Sequence, residues 1–271
     1  MSTNNFTAKL KKELLRSPKK TAVLALISVV AIWFWRQKQP ALTLFFFLLA
    51  ALTKPIALLP IPFFALAIWR DLPDLGARLR LFGWGVVWGV TAVWLAFLPF
   101  GSPLDLAVRL LREASSGPGF SPATLVLLLA AEWGQPITPE FIELVANLFS
   151  VLFGLLFLWL FWLGWNGRSP LLAAADVLAA YSLQALSFRL WYSTWPFLWL
   201  LLENENAEAQ TTTRLRAGLW FLVTVQLSVL IYGHLRVYVL GGSQLAAHLI
   251  GIPFVFFLPY LLASRAKWET R

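Results

Sequence analysis

The sequence predicts an all-α, polytopic helical membrane protein, and three observations carry that prediction. Of the 271 residues 59% are hydrophobic, including 22 Phe and 15 Trp, which is more apolar surface than a soluble domain of this length can bury. The apolar runs are long enough, singly or in pairs, to cross about 30 Å of hydrocarbon. They are apolar on every side, whereas a spanning β-barrel needs segments of about ten residues that alternate apolar and polar.

Taken in order, the runs lie at 21–35, 41–53, 55–69, 81–99, 122–133, 141–165, 170–188, 191–202, 217–233 and 245–263. They give about eight to ten membrane-embedded helical segments. Several are too short for a perpendicular crossing at 1.5 Å per residue, so they must tilt, re-enter or pair as broken hairpins. Residues 1–20 form a basic N-terminal segment, 21–263 the transmembrane domain, and 264–271 a cytoplasmic tail. Between the runs at 81–99 and 122–133, Ser102-Pro103 can start a helix in which Leu104, Ala107, Val108 and Leu111 share one face. The prediction there is an amphipathic helix lying on the extracytoplasmic surface.

Lysine and arginine set the orientation, because short cytoplasmic loops carry the excess. Arg36 and Lys38, then Arg70, Arg78 and Arg80, then Arg168, Arg214 and Arg216, and finally Arg265, Lys267 and Arg271 fall on one side if 41–69 is a hairpin broken at Lys54-Pro55. That side is assigned to the cytoplasm. The basic stretch Ala8 to Arg16 would then lie outside after a single crossing, so either it rests on the membrane surface as an amphipathic helix or the chain is not complete at Met1.

Several chemistries are excluded. There is no cysteine, hence no disulfide, thiolate metal site or cysteine nucleophile. His234 and His248 have no metal-site spacing, so no metal is expected. No phosphate-binding glycine loop occurs, and no cofactor is expected. A net charge of +9 would suggest nucleic acid in a soluble protein; here the cations flank apolar runs and meet anionic headgroups, so the expected partners are membrane lipids and not nucleic acid.

The extracytoplasmic side receives the polar groups of interest. In Phe188-Arg189-Leu190-Trp191-Tyr192-Ser193-Thr194-Trp195-Pro196, a guanidinium is placed between two apolar runs. Such a charge costs about 2.5–3.5 kcal/mol at the centre of a bilayer unless it snorkels or finds an anion. Lys54 precedes a proline, which disfavours helical geometry and leaves backbone groups free for a phosphate; a lysine snorkelling at a hairpin tip would account for the same residues. Asp105 and Glu132 are candidate carboxylates for a general base, with Glu140 and Glu143 on the same side. His234 and Arg236 follow the run at 217–233, as interface anchors or as further phosphate ligands. Asp176 lies inside the run at 170–188 on the cytoplasmic half, where it should be paired or near headgroups.

Four stretches together resemble a family. Ala50-Ala51-Leu52-Thr53-Lys54-Pro55-Ile56-Ala57-Leu58-Leu59-Pro60 is similar to the Lys-Pro hairpin of bacterial GT-C glycosyltransferases, and Leu98-Pro99-Phe100 with the helix that follows is similar to their outer-face segment. Trp191-Tyr192-Ser193-Thr194-Trp195 resembles their Trp-Tyr-x-x-Trp signature, and His248 to Tyr260 resembles their last span. The resemblance implies a multi-pass enzyme of the bacterial plasma membrane that transfers a hexose, with mannose the expected sugar, from a polyprenyl-phosphate donor to a glycan or lipid acceptor. Lys54, Arg189, Trp191 and Tyr192 would then lie near the donor phosphate and carrier, and His234 and Arg236 are further candidates for binding that phosphate. Members carry a catalytic Asp or Glu in the loop after their first span, but here Arg36-Gln37-Lys38-Gln39 follows the first run. The chain is therefore expected to be the C-terminal portion of such an enzyme, with a separate N-terminal half as a partner. The alternatives are a lipid-carrier transporter or flippase, and a helical assembly subunit.

Overall fold

The computed structural model describes residues 25–97, 119–185, 188, 190–203 and 209–265, and every regular element among them is helical. The basic N-terminal segment, the expected amphipathic helix with Asp105, and Arg189 lie outside the described residues. The chain divides into two compact units, 1–106 and 107–271.

The first unit contains α1 (Ala25–Arg36), α2 (Pro40–Thr53), a 3-10 turn (Pro55–Leu58), α3 (Ile61–Asp71) and α4 (Leu75–Phe97). The break expected at Lys54-Pro55 is present: Lys54 is extended at φ −152 and ψ 118, while its N–H still donates to Ala50 O. Proline disfavours helical geometry in the residue before it, and here the chain turns at Lys54. Ala50, Ala51 and Ala57 are buried around this turn against Ile27, Ile56 and Ile61.

The helix α4 begins earlier than the apolar run at 81. Asp74 Oδ1 accepts from the Ala77 N–H at 2.6 Å, and Arg78 donates to Leu72 O from Nε at 3.2 Å and Nη2 at 2.9 Å. A side-chain cap, not hydrophobicity, sets the start. Arg78 and Arg80, read from sequence as loop residues, therefore sit in the first turns of a helix, with the Arg78 guanidinium 5.6 Å from the Trp69 ring.

The second unit contains α5 (Pro122–Glu132), α6 (Pro139–Trp165), α7 (Pro170–Gln184), a 3-10 turn (Leu190–Ser193), α8 (Thr194–Glu203), α9 (Ala209–Val229), α10 (Gln244–Ile252) and α11 (Leu258–Arg265). Three of these start on the same device, a hydroxyl followed by proline: Ser121, Thr138 and Ser169 each cap a backbone N–H, and Pro122, Pro139 and Pro170 occupy the first turn. The helix α9 widens to π geometry at Leu230–Leu235 and ends in the turn Arg236–Tyr238, while α10 runs through a π segment at Pro253–Phe257 into α11. Pro253 has no N–H to give and would clash in an α-helix, and the wider turn accommodates it.

Three helical stretches, Pro139–Trp165, Thr213–Tyr238 and Gln244–Arg265, are long and apolar enough to cross a membrane. On α6 the side chains of Leu144, Leu148, Val151, Leu155, Leu158 and Trp162 are exposed. In water that face would demand a partner; lipid tails satisfy it at no cost. The protein is an all-α membrane protein.

Candidate functional site at a helical hairpin tip

The helix α7 stops after Gln184 although the sequence stays apolar, and Ala185 turns extended at ψ 115. The chain resumes as the 3-10 turn and then α8, in which Pro196 is tolerated because it lies in the first turn. At 1.5 Å per residue α7 is about 22 Å long and α8 about 15 Å, each short of the hydrocarbon thickness. The two helices pack against each other. Their feet are tied, since Ser169 Oγ, at the start of α7, donates to Glu203 Oε2, at the end of α8, at 2.9 Å. Runs 170–188 and 191–202 therefore form one hairpin that returns to the side it came from. Beside the feet, Asp176 is paired as expected: it accepts from Arg168 Nη2, and from Arg214 Nη1 at 3.0 and 3.2 Å.

The closed end of the hairpin is aromatic. Tyr192 and Trp195 stack with centroids 4.2 Å apart and planes 22° from parallel. Tyr181 approaches both, at 6.3 and 6.4 Å. Phe188 meets Tyr192 edge-on at 5.7 Å and Phe256 at 5.4 Å. Phe188 is buried with Val225, Ile252, Val255 and Phe256, so the tip is wedged against α9 and the π segment before α11. Ser193 is fully buried, while Tyr192 keeps part of its ring accessible. Aromatic side chains with one polar end and an apolar body suit a surface that meets both a lipid chain and polar groups.

A second cluster joins residues distant in sequence. Tyr232, in the π segment of α9, lies 3.9 Å from the Phe120 ring and 5.0 Å from the His248 ring. Both His248 nitrogens face carbonyl oxygens: Nδ1 is 2.8 Å from Gln244 O and Nε2 is 3.2 Å from Gly119 O. A neutral imidazole has one N–H, so it donates to only one of these oxygens. The Tyr232 hydroxyl is buried and has no hydrogen-bond partner among the described residues. A Cβ at position 251 would come 2.6 Å from Tyr232 Cζ, which is why glycine stands there.

The residues singled out from sequence are distributed as follows. Tyr192 is part of the aromatic tip, and the Trp191 backbone lies in the 3-10 turn beside it. His234 is exposed on the π segment, its ring 6.2 Å from Tyr238. Arg236 follows two residues on, and its Nε is buried without a partner among the described residues. Glu132 is exposed at the end of α5. Lys54 belongs to the first unit and is half-buried at the α2 break. Arg189 and Asp105 lie outside the described residues. The sequence reading missed Tyr181 and Tyr232; a tyrosine within an apolar helix was the available signal, because a buried phenol needs a reason to be there. Among the described residues no three metal-ligating side chains gather.

Comparison with protein-family models, with curated proteins and with solved structures finds no match for the chain.

Proposed function

We propose that the chain is a multi-pass glycosyltransferase module of the bacterial plasma membrane. It takes a hexose, mannose by resemblance, from a polyprenyl-phosphate donor on the extracytoplasmic face and delivers it to a glycan or lipid acceptor. The observation that supports this reading best is the aromatic tip: the Trp-Tyr-x-x-Trp run forms the closed end of a helical hairpin, with Tyr192 stacked on Trp195 and flanked by Tyr181. Interrupted helices are tolerated at membrane depth where they line a site, and such interruptions carry the ligands of many membrane proteins.

In this reading the rings of Tyr181, Tyr192 and Trp195 hold the first isoprene units of the carrier. Arg189, adjacent to the tip in sequence, meets the phosphate, with His234 and Arg236 as further candidate ligands. The acceptor oxygen forms a bond to the anomeric carbon as the bond from that carbon to the phosphate oxygen breaks. The phosphate leaves with the electron pair, and a carboxylate takes the acceptor proton, for which Asp105 and Glu132 are the candidates. Fixed cations lower the barrier because negative charge grows on the departing phosphate.

The test is transfer of labelled mannose from a polyprenyl-phosphate donor in membranes containing the protein. Arg189→Ala is expected to lower the rate by about a hundredfold, the scale set by loss of one charge-stabilising group, and Tyr192→Ala to lower it by weakening the hold on the carrier. Rates equal to wild type in both variants would end this reading.

A further inference from the structure

A cavity of about 340 Å³ runs along the hairpin between α6, α7, α8, α9 and α11, from Arg168 and Asp176 at the feet to Leu183, Pro196 and Phe256 close to the aromatic tip. Its space comes from small side chains, with Ala175, Ala179, Ala217 and Gly218 standing where larger residues would close it. Phe221 and Phe256 supply apolar wall, and Arg168, Asp176 and Arg214 supply the polar edge. A volume of this size is within the range of small-ligand sites, which are mostly apolar with a few convergent polar groups.

Among the described residues one carboxylate, Asp176, accepts from both guanidiniums. Each guanidinium carries five N–H donors, and Asp176 accepts from Arg168 Nη2 and Arg214 Nη1. The Nε of Arg168 is buried with no partner among the described residues. The nearby Glu203 carboxylate accepts from Ser169 instead. Burial pushes the Arg168 guanidinium below its ordinary pKa, with Asp176 opposing and Arg214 adding to that shift. The donors that Asp176 does not use can bind a second anion. A phosphate is the planar fork's natural partner, since it can accept two parallel N–H bonds from one arginine.

We infer that this cavity binds an anionic phospholipid, with its phosphate held by Arg168 and Arg214 and the first part of an acyl chain lying along Phe221 and Phe256. Asp176 acts as a positioning residue that keeps the two guanidiniums together. The site shares the hairpin with the glycosyl-transfer reading but not its phosphate and carrier residues, so with the hairpin standing either can fail alone.

The test is native mass spectrometry of the full chain, purified in detergent and titrated with phosphatidylglycerol, phosphatidylethanolamine or inorganic phosphate. Wild type is expected to hold phosphatidylglycerol about tenfold more tightly than the zwitterionic lipid, the factor that separates one good charged contact from none. Arg168→Gln with Arg214→Gln should abolish that preference. Ala179→Trp, which fills the cavity and leaves all three charged residues in place, should abolish it too, and it decides the matter if the arginine variant does not fold. Equal binding of the two lipids by wild type, or an unchanged preference in Ala179→Trp, would overturn the inference. Inorganic phosphate that displaces phosphatidylglycerol at equal concentration would overturn it as well, because the occupant would then be a free phosphate compound and not a lipid.

Discussion

At its open end the α7–α8 hairpin is tied by polar groups, Ser169 to Glu203 and Asp176 to both Arg168 and Arg214; at its closed end it is held by rings, Tyr192 on Trp195 and Phe188 against Phe256. In lipid these two kinds of fastening differ in consequence. Hydrocarbon is as apolar as the side chains, so no hydrophobic force drives the ring cluster together and only van der Waals fit retains it. A carrier chain can replace part of that fit at little cost. The polar end has no such freedom, because removing one partner leaves a partly buried charge that is only incompletely solvated. The feet therefore fix the register of the hairpin, and the tip is the end whose packing is easier to exchange.

Asp176→Ala should be the most damaging change at this hairpin. It leaves Arg168 and Arg214 facing each other with side chains 18% and 31% exposed, and the loss should be about 2–3 kcal/mol, below the range for fully buried pairs. Thermal unfolding in detergent would measure it, and a loss smaller than that of Trp195→Ala would reverse the assignment. Trp195→Ala at the tip should cost about 1–2 kcal/mol, less than for an equally buried tryptophan in water, because only packing is lost. Ser169→Ala removes both a helix cap and the tie to Glu203 and should cost about 1 kcal/mol. The smallest effect should be that of Tyr232→Phe, close to zero or slightly stabilising, since the buried hydroxyl it deletes has no partner among the described residues. A clear loss of stability there would mean that the hydroxyl is satisfied by an ordered water or a ligand.

Much of this architecture was legible because it is local. The break at Lys54 follows from one proline, and the starts of α5, α6 and α7 follow from a hydroxyl and a proline side by side. The pairing of Asp176 follows from the cost of a lone carboxylate inside an apolar run. The start of α4 was misplaced because the apolar pattern begins at 81 while the cap that nucleates the helix is Asp74. The early end of α7 was not legible, since the mostly apolar run continues to residue 188. Nor was the meeting of His248 with Gly119 and Tyr232, which joins distant parts of the chain that no sequence period relates. Of the site residues named from sequence, Tyr192 falls in the aromatic cluster, whereas Arg189 and Asp105 lie outside the described residues.

The hairpin itself is the claim on which both proposals depend, and the absence of native cysteine makes it directly accessible. Single cysteines at Asn166, Thr194 and Glu203 would be labelled with a membrane-impermeant maleimide applied to each side of sealed vesicles in turn. The account predicts that Asn166→Cys and Glu203→Cys react from the same side and that Thr194→Cys does not react from that side. Labelling of Asn166→Cys and Glu203→Cys from opposite sides would contradict it.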